Sequence, residues 1–233
     1  MKDYSPERLD VSNDNNIARA AAHVYRYELS KKVISHKYQF PKILDIACGT
    51  GYGSQTLSEI TKSQVFGVDV SSEAVSQAIA GYARKNIHFK LGSIIDIPYK
   101  NKFFDAVVCF ETIEHIQPGL TLKALSEMKR VLKRGGTLFI STPNKLVEDV
   151  AKYLFKIDNV FHTNEMTYQL LRNSLKKSRL KIIKEYGQGP IFLPVYPLVR
   201  FGLFPKAYFK PIAFFPPFFS MFMIVECEKN NEI

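Results

Sequence analysis

Short apolar runs alternate with amphipathic stretches along most of this chain. The runs ILDIA, VFGVDV, IHFK, FDAVVCF, TLFIST, LKIIKEYGQ and MFMIVECEK read as strands. Between or beside them, ARAAAHVYRYELSKKVI (Ala18 to Ile34), SSEAVSQAIAGYARK (Ser71 to Lys85) and LKALSEMKRVLK (Leu122 to Lys133) carry helical spacing. In the last of these, Leu122, Leu125, Met128 and Leu132 fall on one predicted apolar stripe. Strands taking turns with helices predict βαβ units and a parallel sheet covered on both faces. With 233 residues and 46% hydrophobic content, one core is expected.

The first strand runs into CGTGYGS, where Gly49, Gly51 and Gly53 let the backbone turn sharply and approach a ligand, just before a helix opens. Such a turn makes a nucleotide cradle. The spacing is GxGxG, and Ser54 stands where a dinucleotide fingerprint has its third glycine; no GKS or GKT follows, which excludes a P-loop. A cofactor with adenosine but without phosphate is the remaining reading. Asp69 ends the second strand, where a carboxylate holds a ribose diol; the competing role, capping the next helix, falls to Ser71 and Ser72. Ser93 and Ile94, after the third strand, offer a polar and an apolar contact to an adenine.

Taken in order, DIACGTGYG, GVDVS, LGSIIDIPY, FFDAVVCFETIEHI and LKRGGTLFISTPN resemble the motifs of class I S-adenosylmethionine-dependent methyltransferases over roughly residues 40–145. The resemblance implies an α/β fold with a doubly wound, seven-stranded, mostly parallel sheet whose last strand is antiparallel. It implies S-adenosyl-L-methionine as cofactor, with Asp45, Ala47, Gly49 and Gly51 on the methionine side, Asp69 and Val70 at the ribose, Ser93 and Ile94 at the adenine, and Phe110 beside it. Many relatives have Asp where Ser93 stands, so a hydroxyl replaces a carboxylate here.

Glu111, Glu114 and His115 emerge from the carboxyl end of the fourth strand, where α/β proteins bind their ligands. A histidine there can take a proton from a hydroxyl as it attacks a methyl group, help typically worth about 10²- to 10⁴-fold. The alternative is that His115 only caps the loop and packs on the cofactor. The ExxEH spacing also resembles ubiquinone-biosynthesis O-methyltransferases, in which these positions can gather a divalent cation; no metal is assigned here.

Residues 1–40 are expected to form a helical lid carrying His23, Arg26 and Tyr27, with Arg26 either at the methionine carboxylate or a solvated helix charge. HxxRY, FHxxE and YGQ resemble bacterial glycan-associated methyltransferases, and Asn144 and His162 are expected at the acceptor. The stretch 189–219, rich in Phe and Pro, parts the last two strands. Its prolines bar a membrane span. It reads equally as a substrate cap, as a patch that dips into an anionic membrane, or as an extension of the core or a dimer contact.

The net charge of +10, dense in Leu170 to Lys184, suits an anionic surface and would also suit RNA, but no aromatic interleaving accompanies it. Cys48, Cys109 and Cys227 lie in apolar segments without metal or disulfide spacing, so they are expected to be reduced and buried in a cytoplasmic protein that can sit at a membrane surface. The start of the chain lacks a signal-peptide pattern. The sequence therefore predicts a single domain over 1–233 that moves a methyl group to a small-molecule, glycan or lipid-linked acceptor, most simply at oxygen. The alternatives are an RNA or protein methyltransferase using the basic face, and a cofactor-binding subunit without turnover.

Overall fold

The computed structural model describes residues 17–155, 163–190, 210–213 and 217–230. Helix α1 (Ile17–Lys37) leads into β1 (Lys42–Ile46), α2 (Tyr52–Ser58), β2 (Gln64–Asp69), α3 (Ser72–Tyr82), β3 (Ile87–Leu91) and β4 (Phe104–Phe110). Then follow α4 (Thr121–Val131), β5 (Leu132–Pro143), α5 (Lys145–Phe155), α6 (Tyr168–Lys177), β6 (Leu180–Pro190), β7 (Ile212–Ala213) and β8 (Ser220–Lys229).

The strands lie in the order β3-β2-β1-β4-β5-β8-β6-β7. The pairs from β3 to β5 are all parallel, while β8 runs antiparallel to both neighbours, β5 and β6. This is the expected sheet, with one addition. The eighth strand, β7, pairs Ile212 and Ala213 with Gly187 and Tyr186 at the edge; two residues are too short to carry a readable alternation. Sequence order reverses between β1 and β4, so a crevice opens beyond their carboxyl ends, where such sheets take ligands.

Alternation along β4 shows why both faces need cover. Val107 and Cys109 join a core with Ala124, Leu125, Met128 and Val131 of α4 and Leu171 and Leu175 of α6. Ala106, Val108 and Phe110 join the opposite core, with Tyr27 and Ile34 of α1 and Leu57 of α2. Leu122 is a correction to the predicted stripe. It is exposed, because the buried face of α4 runs through Thr121, Ala124, Leu125, Met128 and Val131 instead.

Ser71 does cap α3, its hydroxyl accepting from the Ala74 amide, and Thr167 caps α6 likewise. The three cysteines are free and buried. Among the described residues no helix is long and apolar enough to cross a membrane. Most of the 189–219 stretch lies outside the described residues; of its end, Phe218 and Phe219 are exposed and meet edge to face at 5.0 Å.

Candidate active site

Between β1 and α2 the chain turns through three left-handed residues, Ala47 (φ 60°), Gly49 (φ 54°) and Gly51 (φ 94°). Two bonds clamp the turn to β2: the Cys48 amide donates to the Val68 carbonyl at 3.0 Å, and the Gly49 amide to Asp69 Oδ2 at 2.8 Å. Asp69 Oδ1 takes the Ser71 amide at 2.9 Å. One acid thus braces the glycine turn and the start of α3. A carboxylate offers about four acceptor positions, so these two bonds leave room for a diol.

The outer side of the turn is open. A Cβ built at Gly49 meets nothing within 4 Å, whereas one at Gly51 would lie 2.9 Å from Phe89. Val70, 75% exposed, presents an apolar side chain directly after Asp69. Two expected contacts lie deeper than expected. Ile94 is buried in the core, and Phe110 packs edge to face on Tyr27 at 5.1 Å, because each occupies an inward position of its segment. The Ser93 hydroxyl caps its own turn, accepting from the Ile95 amide at 3.3 Å.

Asp45, expected at the methionine end, lies wholly buried under the turn. Tyr27 and Ser54 donate hydroxyl hydrogens to its two oxygens at 3.0 and 2.7 Å. Burial pushes its carboxyl up to about 7 against the pull of those two hydroxyls, and the charge of Asp69 adds to the rise. The Tyr27 ring fills the space over Gly53, where a Cβ would come within 2.0 Å of it. The sequence places Tyr27 in the lid helix and Ser54 where a third glycine would stand, but says nothing of their bonds to Asp45.

On the β4 side, Glu111 stands in the left-handed region at φ 48°, uncommon for a residue with a side chain. Ser141 donates its hydroxyl to Glu111 Oε1 at 2.8 Å, and Arg26 Nη1 lies 3.2 Å from the same oxygen. Arg26 is fully buried, which overturns the solvated-charge reading. Its Nε donates to Gln188 Oε1 at 2.6 Å, and its guanidinium lies 4.3 Å from the centre of the Phe222 ring.

Glu114 is buried as well. Its Oε2 accepts from Thr142 Oγ1 at 3.0 Å, and its Oε1 has no hydrogen-bond partner among the described residues. Burial first, and then the neighbouring charge of Glu111, raises its carboxyl well above the usual range. His115 is partly exposed, at the rim of this turn, with its amide donating to the Thr112 carbonyl at 3.0 Å. Among the described residues no three His, Cys, Asp or Glu side chains gather as metal ligands.

Asn144, expected at the acceptor, is engaged by the fold. Its buried amide donates to the carbonyls of Pro217, Phe218 and Ser220 and accepts from the Leu146 amide, tying the 217–220 turn to the start of α5. A side chain already making these four bonds has little left for a ligand. His162 lies outside the described residues.

The family profile described as a methyltransferase domain matches residues 43–136. The chain is 30% identical over 183 residues to a demethylmenaquinone methyltransferase of Chlorobaculum parvum, covering 75% of this chain and 70% of the relative. It is 27% identical over 185 residues to a protein of Mycolicibacterium smegmatis named a probable S-adenosylmethionine-dependent methyltransferase, covering 78% and 69% respectively. Another curated relative is spanned over only 52% of its own length. Among solved structures, the YcgJ protein of Bacillus subtilis superposes with a TM-score of 0.67 at 17% identity, over 90% of this chain and 100% of that one.

Proposed function

This chain belongs to the S-adenosylmethionine-dependent methyltransferases, and we propose that it methylates a small-molecule, glycan or lipid-linked acceptor at an oxygen atom beside His115. The observation that carries the proposal is the setting of Glu111, Glu114 and His115 at the carboxyl end of β4, adjoining the strand that feeds the open glycine turn. A relative named for demethylmenaquinone supports a small molecule as acceptor.

The residues present fit the cofactor. The open space at Gly49 admits a ligand against bare backbone, Asp69 keeps acceptor positions for a ribose diol, and Val70 offers an apolar wall. S-adenosylmethionine supplies a methyl carbon made electrophilic by its sulfonium sulfur. Asp45, Tyr27 and Ser54 hold the floor of the turn. His115 orients the acceptor hydroxyl and takes up its proton. Glu111 and Glu114 shape the acceptor side, the first as an ion-paired carboxylate and the second as a carboxyl whose burial favours the neutral form. Alignment of acceptor and methyl provides the larger part of the rate. In the same reading Phe218 and Phe219, exposed on a chain of net charge +10, meet an anionic membrane surface that carries the acceptor.

The test uses methyl-tritiated S-adenosylmethionine in a cell extract, followed by separation of small molecules and lipids from RNA and protein. Label is expected in the small-molecule or lipid fraction; label in RNA or protein alone overturns the reading. S-adenosylhomocysteine should raise the melting temperature of the wild type and of His115→Ala but not of Asp69→Ala. His115→Ala should lose about 10²-fold or more of the transfer, and an unchanged rate removes the histidine from its role.

A further inference from the structure

Four segments far apart in sequence meet at Arg26. The side chain leaves α1, donates from Nε to Gln188 Oε1 on β6 at 2.6 Å, lies over the Phe222 ring of β8 at 4.3 Å, and reaches Glu111 Oε1, past the end of β4, at 3.2 Å. Gln188 is fully buried too, and it uses its other end to return to α1, donating from Nε2 to the Ala22 carbonyl at 2.9 Å. Arg26 and Gln188 therefore fix one another. A buried guanidinium is costly to desolvate unless it is paired and hydrogen-bonded; here Nε bonds Gln188 while Nη1 pairs with Glu111, two directions that a simple ammonium would not serve together.

Glu111 needs such a partner. Its backbone is in the left-handed region at φ 48°, its amide is held by the Ser141 carbonyl at 3.2 Å, and the carboxylate faces the buried Glu114 as a like charge if both ionise. The Arg26 contact and the Ser141 hydroxyl both converge on the same oxygen, Oε1. The neighbouring residue on α1, Tyr27, faces the other half of the site and holds Asp45 under the glycine turn at 3.0 Å.

We propose that Arg26, locked by Gln188, is a positioning residue for the acceptor side of the site: it holds the Glu111 carboxylate in a single orientation, and so makes α1 and β6 working parts of the methyl-transfer centre. This rests on the reading that Glu111 faces the acceptor. Arg26 acts through Glu111, and its loss matters only as far as Glu111 matters.

A double-mutant cycle on the transfer rate tests it, with the full chain, methyl-tritiated S-adenosylmethionine and the labelled fraction described above. Arg26→Gln and Gln188→Ala are each expected to slow transfer, the first on the order of 10²-fold, as misplaced groups do. On a Glu111→Gln background, neither should slow it further. Arg26→Lys, which keeps the charge but cannot span Gln188 and Glu111 together, is expected to fall between Arg26→Gln and the wild type. The melting shift given by S-adenosylhomocysteine should survive in all of them.

Equal slowing by Arg26→Gln on both backgrounds overturns the positioning role. Full activity of Glu111→Gln alone instead overturns the underlying reading of Glu111. If Arg26→Gln fails to fold, Gln188→Ala and Arg26→Lys complete the cycle, and additive losses there overturn the proposal equally.

Discussion

At Asp45 the carboxyl sits beneath the glycine turn between the hydroxyls of Tyr27 and Ser54, pushed up to about 7 by burial. In the unfolded chain the same group releases its proton near pH 4. Between those values the folded state holds a proton that the unfolded state has lost, so stability falls as pH rises through the window and is level above it. The slope is at most about 1.4 kcal/mol per pH unit. Asp45→Asn keeps the shape and removes this slope, so chemical denaturation at pH 5 and pH 8 is expected to show a smaller difference for the variant. Glu114 is shifted in the same direction and leaves a residual slope in both proteins. Identical pH dependence in wild type and variant counts against a perturbed Asp45. The acid was legible in the sequence as a motif residue, but its burial and hydroxyl partners were not, because Tyr27 comes from another element.

At the scale of elements, α1 and α2 are keyed together by a missing side chain. The Tyr27 ring occupies the volume that a Cβ on Gly53 would need, at 2.0 Å, and makes edge contacts with Tyr52 at 5.5 Å and Phe110 at 5.1 Å. Gly53→Ala therefore has to expel the ring and break its bond to Asp45. A loss of about 1–3 kcal/mol in urea denaturation is expected, as for other overpacked sites, together with weaker binding of S-adenosylhomocysteine. Gly81 in α3 is the contrast, since a Cβ there meets nothing within 4 Å. Gly81→Ala is expected to stabilise by about 0.4–1 kcal/mol in the same assay, through helix propensity alone. Helix α1 was readable as an amphipathic helix. That its residue 26 turns to Glu111 and Gln188 and its residue 27 to Asp45 was not, because helical periodicity gives a buried face without saying what it is buried against.

For the whole molecule, the surface combines a net charge of +10 with exposed Phe218 and Phe219 near the carboxyl end of β5, where Asn144 pins their turn. Co-sedimentation with vesicles containing phosphatidylglycerol is expected for the wild type, weakening with salt as surface charge is screened. A Phe218→Asp, Phe219→Asp double variant is expected to lose most of that binding, and equal binding by both proteins removes the membrane contact from the reading. The sheet order was legible in outline, since seven of the eight strands announced themselves as apolar runs. The two-residue β7 did not, because pairing at an edge needs backbone neighbours more than a side-chain pattern.

The α/β architecture, the glycine turn, the acid at the end of β2 and the trio at the end of β4 were all legible along the chain, because periodicity and local turn chemistry are properties of neighbours in sequence. Which polar groups pair with one another emerged only in three dimensions. Asn144 pins a turn, Ile94 and Phe110 lie in the core, and Arg26 is a buried partner of Glu111 and Gln188. The physical reason is that a buried polar group must find its partner across space. Residues 26, 111 and 188 become neighbours only once the sheet has closed between them.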